Sequence, residues 1–305
     1  MKDSSIITLF FGTNLFYYTL SEGEMSHSYL FFLFSALIYL TIKWHKTPKR
    51  KYLFALAFLF GLSVLIRPTS ILFGLFPLLY SNDFKSKFHL LKSNWKSILL
   101  AFPIFVIPIF VQLAYWKLYG GNWIIWSYGE EHFYFTNPHI LDFLLSFRKG
   151  WLIYTPVMFL AIFGLFKLKN SVKPMRLSVS IILLLTVYVF SSWWCWWFGG
   201  SLGSRVMVEY YALLIFPLAS AIHYFRKIKF VNIGLVLVLL FCISFNYIAT
   251  HKYKWSQLHW DSMTKKAFFQ TFSHPKMNQI HKEKYESCLK TPDYKNAKKG
   301  LEEKK

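Results

Sequence analysis

Acidic residues are scarce in this sequence, and charged residues are few altogether. Of its 305 residues, 14 are Asp or Glu and 16% are charged, whereas a soluble globular protein carries about 25%. The three cysteines form neither a CxxC pair nor a cysteine–histidine spacing. No stretch rich in Gly, Ser or Pro divides the chain. These absences exclude a disulfide-bonded scaffold, a cysteine-based metal or redox site and an ordinary cytosolic enzyme.

Apolar and aromatic residues dominate instead. Hydrophobic residues make up 55% of the chain, with 33 Phe, 19 Tyr and 12 Trp, and this excludes intrinsic disorder. We predict an all-α, polytopic membrane protein with about seven full spans plus one short helical hairpin at 52–80. The apolar stretches, most of them near the ~17–25 residues that a membrane-spanning helix needs, are 6–20, 27–43, 52–80, 97–116, 151–166, 177–194, 206–223 and 230–248.

The domain organisation is simple. Residues 1–249 form one transmembrane helical domain, which includes a long outer loop at 119–150 of mixed aromatic and polar character. A polar, Lys-rich tail follows at 250–305. We expect the end of this tail, 275–305, to be disordered.

The segment 52–80 decides the topology. It is too long for one span and too short for two, and its centre reads Ile66-Arg67-Pro68-Thr69-Ser70. Proline removes a backbone donor and disfavours helix at the residue before it, so we expect the chain to turn there. Short basic loops stay on the cytoplasmic side, which identifies that face of the protein. With the hairpin, four short loops that together carry fifteen Lys and Arg fall on this one face: 44–51, 81–96, 167–176 and 224–229.

The formal net charge of +21 is mostly explained by this topology. A basic excess can indicate nucleic acid, but here most of it lies in the short cytoplasmic loops, so no nucleic-acid partner is expected. The tail at 250–305 is placed outside with 13 Lys and 6 acidic residues, which the rule for short loops does not explain. Long segments are translocated largely regardless of their charge.

The opposite, outer face collects most of the unusual polar residues. Arginine binds phosphate oxygens as a fork, and a nearby carboxylate can accept a proton from a hydroxyl, so this set suits a phosphate-bearing lipid. The predicted phosphate-binding cations are Arg67, Arg148, Lys149 and Arg205. The carboxylates that are weak candidates for catalysis are Glu22, Glu24, Glu130 and Glu131.

Each of these signals has an alternative interpretation. Arg205 and Glu209 are four residues apart, so a structural ion pair on one helix is at least as plausible as catalysis. Trp196 and Trp197 suit an interfacial aromatic belt better than a sugar-stacking platform. Glu22 and Glu24 are equally well explained as solvated loop charges.

Two further sets of polar residues also have more than one interpretation. The acidic and histidine residues of the 119–150 loop could bind a divalent metal, but their spacing fits no standard metal motif, so no metal or other cofactor is expected. These residues are Glu130, Glu131, His132 and His139. The lysines of the 81–96 loop are best explained as anchors to cytoplasmic lipid head groups: Lys85, Lys87, Lys92 and Lys96.

Several strings of this sequence resemble a family of bacterial multi-pass membrane proteins. Over roughly residues 10–272 they are similar to integral-membrane glycosyltransferases of the GT-C superfamily, near the protein O-mannosyltransferase and lipid A aminoarabinose transferase group. The strings that carry the resemblance are Gly12-Thr13-Asn14-Leu15-Phe16-Tyr17-Tyr18, Ser26-His27-Ser28-Tyr29, Leu65-Ile66-Arg67-Pro68-Thr69, Phe147-Arg148-Lys149-Gly150-Trp151-Leu152-Ile153-Tyr154-Thr155-Pro156, Trp196-Trp197-Phe198-Gly199-Gly200, Gly203-Ser204-Arg205 and His259-Trp260-Asp261-Ser262-Met263-Thr264.

The resemblance implies an enzyme of the bacterial inner membrane with its active site on the extracytoplasmic side. It would transfer a sugar from a polyprenyl-phosphate-linked donor to an acceptor hydroxyl. An acidic residue would act as general base, and basic residues would stabilise the departing lipid phosphate. In the family the key Asp or Glu lies in a long first outer loop, whereas the first outer loop here is the short segment 21–26. We therefore expect an N-terminal portion that carries the catalytic carboxylate to be missing.

Two other functions compete with the glycosyltransferase. A transporter or flippase for a lipid-linked saccharide needs the same basic and aromatic residues. It would show broken helices in two corresponding halves, and the sequence shows one such break, at Arg67-Pro68. The third interpretation is a membrane fragment without activity of its own.

Overall fold

The computed structural model describes residues 2–81, 83–126, 128–168 and 172–301, and this part of the chain is helical. Between the helices it contains one isolated β-bridge, which joins Phe133 and Trp193. The α-helices of the described residues are α1 (Lys2–Phe11), α2 (Leu15–Leu20), α3 (Ser26–Lys46), α4 (Arg50–Ile66), α5 (Leu75–Leu79), α6 (Phe84–Ser93), α7 (Trp95–Gly120), α8 (Ile140–Leu145), α9 (Trp151–Tyr154), α10 (Met158–Gly164), α11 (Arg176–Ser191), α12 (Tyr211–Arg226), α13 (Lys229–Lys254), α14 (Lys265–Ser273), α15 (Gln279–Glu286) and α16 (Tyr294–Lys298). Short 3₁₀ helices cover Pro68–Gly74, Leu165–Lys167, Lys173–Met175 and Arg205–Met207.

The prediction of an all-helical membrane protein is confirmed in its coarse form. In the described part, four helices are long and apolar enough to cross a membrane: Ser26–Lys46, Trp95–Gly120, Lys173–Ser191 and Lys229–Lys254. The remaining apolar stretches form shorter helices, so the count of about seven full spans is not confirmed.

Polar residues and prolines break the shorter stretches. The stretch 6–20 divides into α1 and α2 at Asn14, whose side-chain amide donates to the carbonyl of Leu202 at 2.9 Å. The hydroxyl of Tyr211 donates to the same side chain at 2.8 Å. The stretch 151–166 divides into α9 and α10 before Pro156, because proline disfavours helix at the residue that precedes it.

The chain turns at Arg67, as the sequence predicts. Helix α4 ends at Ile66, and the return leg consists of the 3₁₀ helix Pro68–Gly74 and α5. Near its end, the carbonyl of Pro77 lies 3.2 Å from the ring nitrogen of His45, which belongs to the C-terminal end of α3. A 3₁₀ helix rises about 2.0 Å per residue and an α-helix about 1.5 Å, so the short return leg spans roughly 21 Å against roughly 25 Å for α4. Both ends of the hairpin therefore lie at the same face.

Helix α12 is the buried centre of the bundle. It packs against α10, α3, α1 and α13. The contact with α10 is close: a Cβ on Gly164 would lie 1.9 Å from the carbonyl oxygen of Pro217, so the two backbones touch. Helix α7 is the opposite case, since it is apolar on all sides yet mostly exposed, as a helix in contact with lipid would be.

The tail is folded over its described length, where the sequence predicts disorder at 275–305. Helices α15 and α16 fall inside that range, and Tyr285 and Ala297 on them are buried. The hydroxyl of Thr264 donates to the carbonyl of Cys288 at 2.7 Å, and the hydroxyl of Tyr134 donates to the carbonyl of Lys298. A few aromatic and small residues among the lysines are enough to dock the tail on the outer loop, while residues 302–305 lie outside the described part.

Candidate functional site

The segments that the sequence places on the outer face meet at one end of the helices. They enclose a cavity of about 430 Å³. Its polar lining includes Arg67 from the hairpin tip, Glu131 from the outer loop and Arg205 from the loop before α12. The apolar walls are mostly aromatic and are formed by Trp126, Tyr128, Phe133, Phe190, Trp193, Trp194, Phe198 and Tyr294.

Arg67 is held in this cavity by two buried partners. Its Nη1 lies 3.0 Å from Nδ1 of His27, at the start of α3, and 3.5 Å from Oε1 of Glu209. The same His27 nitrogen lies 2.8 Å from Oε2 of Glu209. The histidine and the glutamate are nearly inaccessible, at 3% and 2% exposure, whereas the arginine side chain is 21% exposed. Glu209 therefore compensates the charge at the cavity wall and fixes the position of the guanidinium.

This contact corrects the expected pairing of Arg205 with Glu209 along one helix. Residues 205–207 form a 3₁₀ helix and α12 begins only at Tyr211, so the two side chains do not share a face of one α-helix. The guanidinium of Arg205 instead contacts the carbonyl of Gly200 at 3.4 Å and the sulfur of Met25 at 3.8 Å. The second arginine is thus free of the buried glutamate and lines the cavity.

The loop between α11 and α12 is shaped by residues with positive φ. Phe198 has φ +55°, Gly199 has φ +61° and Gly203 has φ +63°. A non-glycine residue in this region is uncommon and strained, and the strained Phe198 lies in the cavity wall. A Cβ on Gly203 would meet the side chain of Tyr154 at 2.7 Å, so glycine is required there for packing as well. After these turns, Arg205 lines the same cavity as Trp193 and Trp194.

Lys149 is not among the described residues that line this cavity. It is 1% exposed, its ammonium donates to the carbonyl of Ser201, and it lies 5.3 Å from the centre of the Tyr253 ring. Burial lowers the pKa of Lys149 from 10.5 to about 7, and the negative charge of Asp261 opposes that shift. Lys149 therefore stabilises the loop between α11 and α12 from the side that faces away from the cavity.

Arg148, Trp196 and Trp197 belong to a second, smaller cavity of about 230 Å³. The guanidinium carbon of Arg148 lies 5.3 Å from the centre of the Trp197 ring, and its Nη2 donates to the carbonyl of Lys290 at 3.4 Å. Trp194 lines both cavities. The structure therefore distributes the four predicted phosphate-binding cations over three settings, and it brings two of them together.

Of the four carboxylates that the sequence suggests, Glu131 is the one in the described lining of the large cavity. Glu22 accepts a hydrogen bond from the hydroxyl of Tyr17 at 2.6 Å, and its Oε2 is buried without a partner among the described residues. Glu24 and Glu130 are exposed. The described residues contain no group of three His, Cys, Asp or Glu that could hold a metal ion.

The tail contributes a buried carboxylate that sequence reasoning did not select. Asp261 is 1% exposed, and it accepts hydrogen bonds from the hydroxyls of Ser262 at 2.7 Å and Tyr294 at 2.5 Å. Tyr294 itself lines the large cavity. The string His259–Thr264 belongs to the quoted resemblance, but nothing in it indicates that the aspartate would contact a residue of the cavity wall.

Cys195 is the thiol of the large cavity. Burial raises its pKa to about 12, so it stays protonated and is a poor nucleophile at neutral pH. The charged side chains of the described lining are the two arginines and the glutamate.

No family model, no curated protein and no solved structure matches this chain. Its resemblance to the GT-C glycosyltransferases therefore depends on the quoted strings alone.

Proposed function

We propose that this protein is a membrane glycosyltransferase that uses a polyprenyl-phosphate-linked sugar on the extracytoplasmic side of the bacterial inner membrane. The observation that carries the proposal is one aromatic cavity lined by Arg67, Arg205 and Glu131. Two guanidinium groups suit a phosphate, and aromatic rings suit the apolar faces of a sugar. The four apolar helices and the basic loops on the opposite face support the location.

Arg67 and Arg205 are the groups that contact the lipid phosphate in this proposal. A guanidinium carries five N–H donors, and the contacts of Arg67 with His27 and Glu209 use Nη1. The remaining donors are free to face the cavity. Because Glu209 is a fixed, buried counter-ion, Arg67 is preorganised and needs no reorganisation when negative charge develops on the leaving phosphate.

In this proposal Glu131 of the outer loop is the general base, in place of the carboxylate that the family carries in its first outer loop. The oxygen of an acceptor hydroxyl attacks the anomeric carbon of the donor, and Glu131 accepts the hydroxyl proton. The bond between the anomeric carbon and the phosphate oxygen breaks, and its electron pair stays on the polyprenyl phosphate. Lys149 and Arg148 hold the surrounding loops, so they act on the site through their neighbours rather than on the phosphate.

The experiment measures sugar transfer by the purified full-length chain in lipid micelles. The donors are polyprenyl-phosphate-linked hexoses and pentoses, the acceptors are membrane glycolipids, and released polyprenyl phosphate is the readout. We expect Arg67→Ala and Arg205→Ala each to lower the rate roughly 10²-fold, since removing one preorganised donor has an effect of that size. We expect Glu131→Gln to lower it roughly 10²- to 10⁴-fold.

Two variants sharpen this experiment. Arg226→Ala makes the same charge change at an exposed position on the other end of α12, and it should leave the rate unchanged. Glu130→Gln alters the exposed neighbour of Glu131, and a loss there with none in Glu131→Gln would overturn the assignment of the base. Movement of the intact donor across vesicles without release of polyprenyl phosphate would instead identify a transporter.

A further inference from the structure

The face opposite the candidate site contains a groove of about 820 Å³. It lies where the C-terminal end of α3, the segment after α5 and helix α6 meet. Helix α3 has 21 residues, a length of roughly 31 Å, so this groove and the aromatic cavity lie at opposite ends of the molecule. The polar residues that matter in the groove are His45, Lys46, Lys87, His89, Ser93 and Asn94.

The groove carries a net positive charge, because two lysines line it against one carboxylate among its described residues. The carboxylate in its described lining is Asp83, which is committed to capping α6. It accepts hydrogen bonds from the backbone N–H of Lys85 at 3.1 Å and of Ser86 at 3.0 Å, and from the Ser86 hydroxyl at 2.5 Å. Among the described ion pairs, none joins a carboxylate to Lys46 or Lys87. The groove is therefore suited to an anion.

The buried and exposed side chains of helix α6 are arranged in an unusual way. Lys87 points inward and is 9% exposed, on the same side of the helix as Leu90 and Leu91, which pack against neighbouring helices. Phe84 and Phe88 are 63% and 69% exposed, and the ammonium of Lys87 lies 5.7 Å from the centre of the Phe84 ring, so the lysine borders the exposed aromatic side. Burial lowers the pKa of Lys87, as expected for an ammonium that lacks an anionic partner.

A buried lysine beside two exposed phenylalanines is unfavourable for a helix surrounded by water. This arrangement suits a helix that lies at the surface of a bilayer, where the aromatic side faces the acyl chains. Trp95, the first residue of α7, is 57% exposed, and the ammonium of Lys96 lies 5.8 Å from the centre of its ring. The outer side of α6 is thus a lipid surface, and the groove opens beside it.

We propose that this groove binds the phosphate head group of an anionic phospholipid from the cytoplasmic leaflet, with Lys87 and Lys46 as its cationic contacts. The phosphate supplies the counter-ion that the protein lacks, and the acyl chains lie along Phe84 and Phe88. A free phosphate would satisfy the lysines as well, but it would leave the exposed phenylalanines without a partner. The proposal is independent of the glycosyltransferase function.

The test is native mass spectrometry of the full-length chain, purified in a neutral detergent and titrated with phosphatidylglycerol or phosphatidylcholine. We expect one phosphatidylglycerol to be retained with at least about tenfold preference over phosphatidylcholine, because the choline cation of the latter competes with the groove lysines for its phosphate. Lys87→Gln should lower this retention about tenfold, and Lys87→Arg should keep it. Lys46 is exposed, so Lys46→Gln gives a second groove variant that does not endanger folding.

Lys92→Gln is the matched control, because Lys92 lies on α6, is exposed and is absent from the groove lining. It makes the same charge change and should leave retention within twofold of the parent, a change too small to indicate a direct contact. An equal loss in Lys92→Gln would show diffuse attraction and overturn the site. Displacement of the lipid by an equal concentration of glycerol phosphate would overturn the assignment to a phospholipid. Thermal unfolding of each variant separates loss of binding from loss of fold.

Discussion

The two ends of helix α3 carry polar clusters of opposite character. At its N-terminal end, His27 contacts Glu209 at 2.8 Å and Arg67 at 3.0 Å, so a buried anion and a cation balance each other. At its C-terminal end, His45 and Lys46 face the inward Lys87 of α6, and the carboxylate of that groove is occupied in capping. The first end balances its charges internally, whereas the second has two lysines and one carboxylate among its described residues and keeps a net positive charge.

The difference indicates where the charges at each end of α3 find their partners. A buried charge is tolerated only with a partner, which comes from the protein itself or from a ligand. The compensated end fixes an arginine before any substrate arrives, as a catalytic site requires. The end with a net positive charge leaves its cations to an outside anion, as a lipid-binding surface does.

The largest effect is expected for Glu209→Gln. The substitution leaves Arg67 without its buried counter-ion, and breaking a buried ion pair typically destabilises a protein by about 3–5 kcal/mol. The measurement is the free energy of unfolding in mixed micelles. Glu24→Gln is the matched control on the same face, and because Glu24 is exposed its effect should stay within about 0.5 kcal/mol. Equal values for the two variants would show that the cluster at His27 is not a compensated ion group.

This cluster also marks the limit of sequence reasoning. The apolar stretches, the turn at Arg67-Pro68 and the basic loops follow from hydropathy, proline geometry and charge counting, which act over short distances. The partners of Glu209 lie 182 and 142 residues away. The pattern of one helix contains no information about such contacts, because they depend on how α3, the hairpin and α12 pack together.

Local conformation explains the other differences. The expected pairing of Arg205 with Glu209 assumed a continuous helix, and the 3₁₀ helix at Arg205–Met207 removes that face. The end of the tail, 275–305, was expected to be disordered, yet Tyr285 is buried and the hydroxyl of Tyr294 donates to Asp261. A few buried residues are enough to fold such a segment, and the average composition of the segment does not reveal them.

The second prediction concerns Lys149, the buried cation of the outer face. Its pKa is about 7 in the folded protein, below the usual 10.5, so between these values the unfolded chain binds one more proton than the folded chain. Stability should therefore rise with pH from about 7 to 9, by at most about 1.4 kcal/mol per pH unit, and the cost of burying the charge is fully present below pH 7. Unfolding measured at several pH values checks this.

Lys149→Met supplies the comparison for this pH series. Methionine cannot be protonated, so the rise between pH 7 and 9 should be smaller in the variant than in the parent. Lys85→Met changes an exposed lysine at the other end of the molecule and should leave the slope of the parent. An identical slope in the parent and in Lys149→Met would contradict the buried, neutral lysine.

The third prediction is a gain in stability, whereas the first is a loss. Lys87 is buried in the groove without a carboxylate partner, so Lys87→Met should stabilise the protein by about 1 kcal/mol in neutral detergent. Phosphatidylglycerol should abolish this gain, since the lipid phosphate compensates the lysine of the parent chain. Unfolding in micelles with and without the lipid is the measurement. Destabilisation of the lipid-free variant would show that the groove is compensated from within, like the other end of α3.

The smallest effect on stability is expected for substitutions of Asp83. These substitutions test whether Asp83 is the counter-ion of the groove lysines. Asp83→Ala removes the cap of α6 and should lower stability by about 1 kcal/mol. Asp83→Asn keeps a capping oxygen but removes the charge, so it should change stability by only a few tenths of a kcal/mol. If Asp83→Asn destabilises as much as Asp83→Ala, the carboxylate serves as the counter-ion of the groove lysines. The contrast between the two ends of α3 would then fail, because both would carry their own anion.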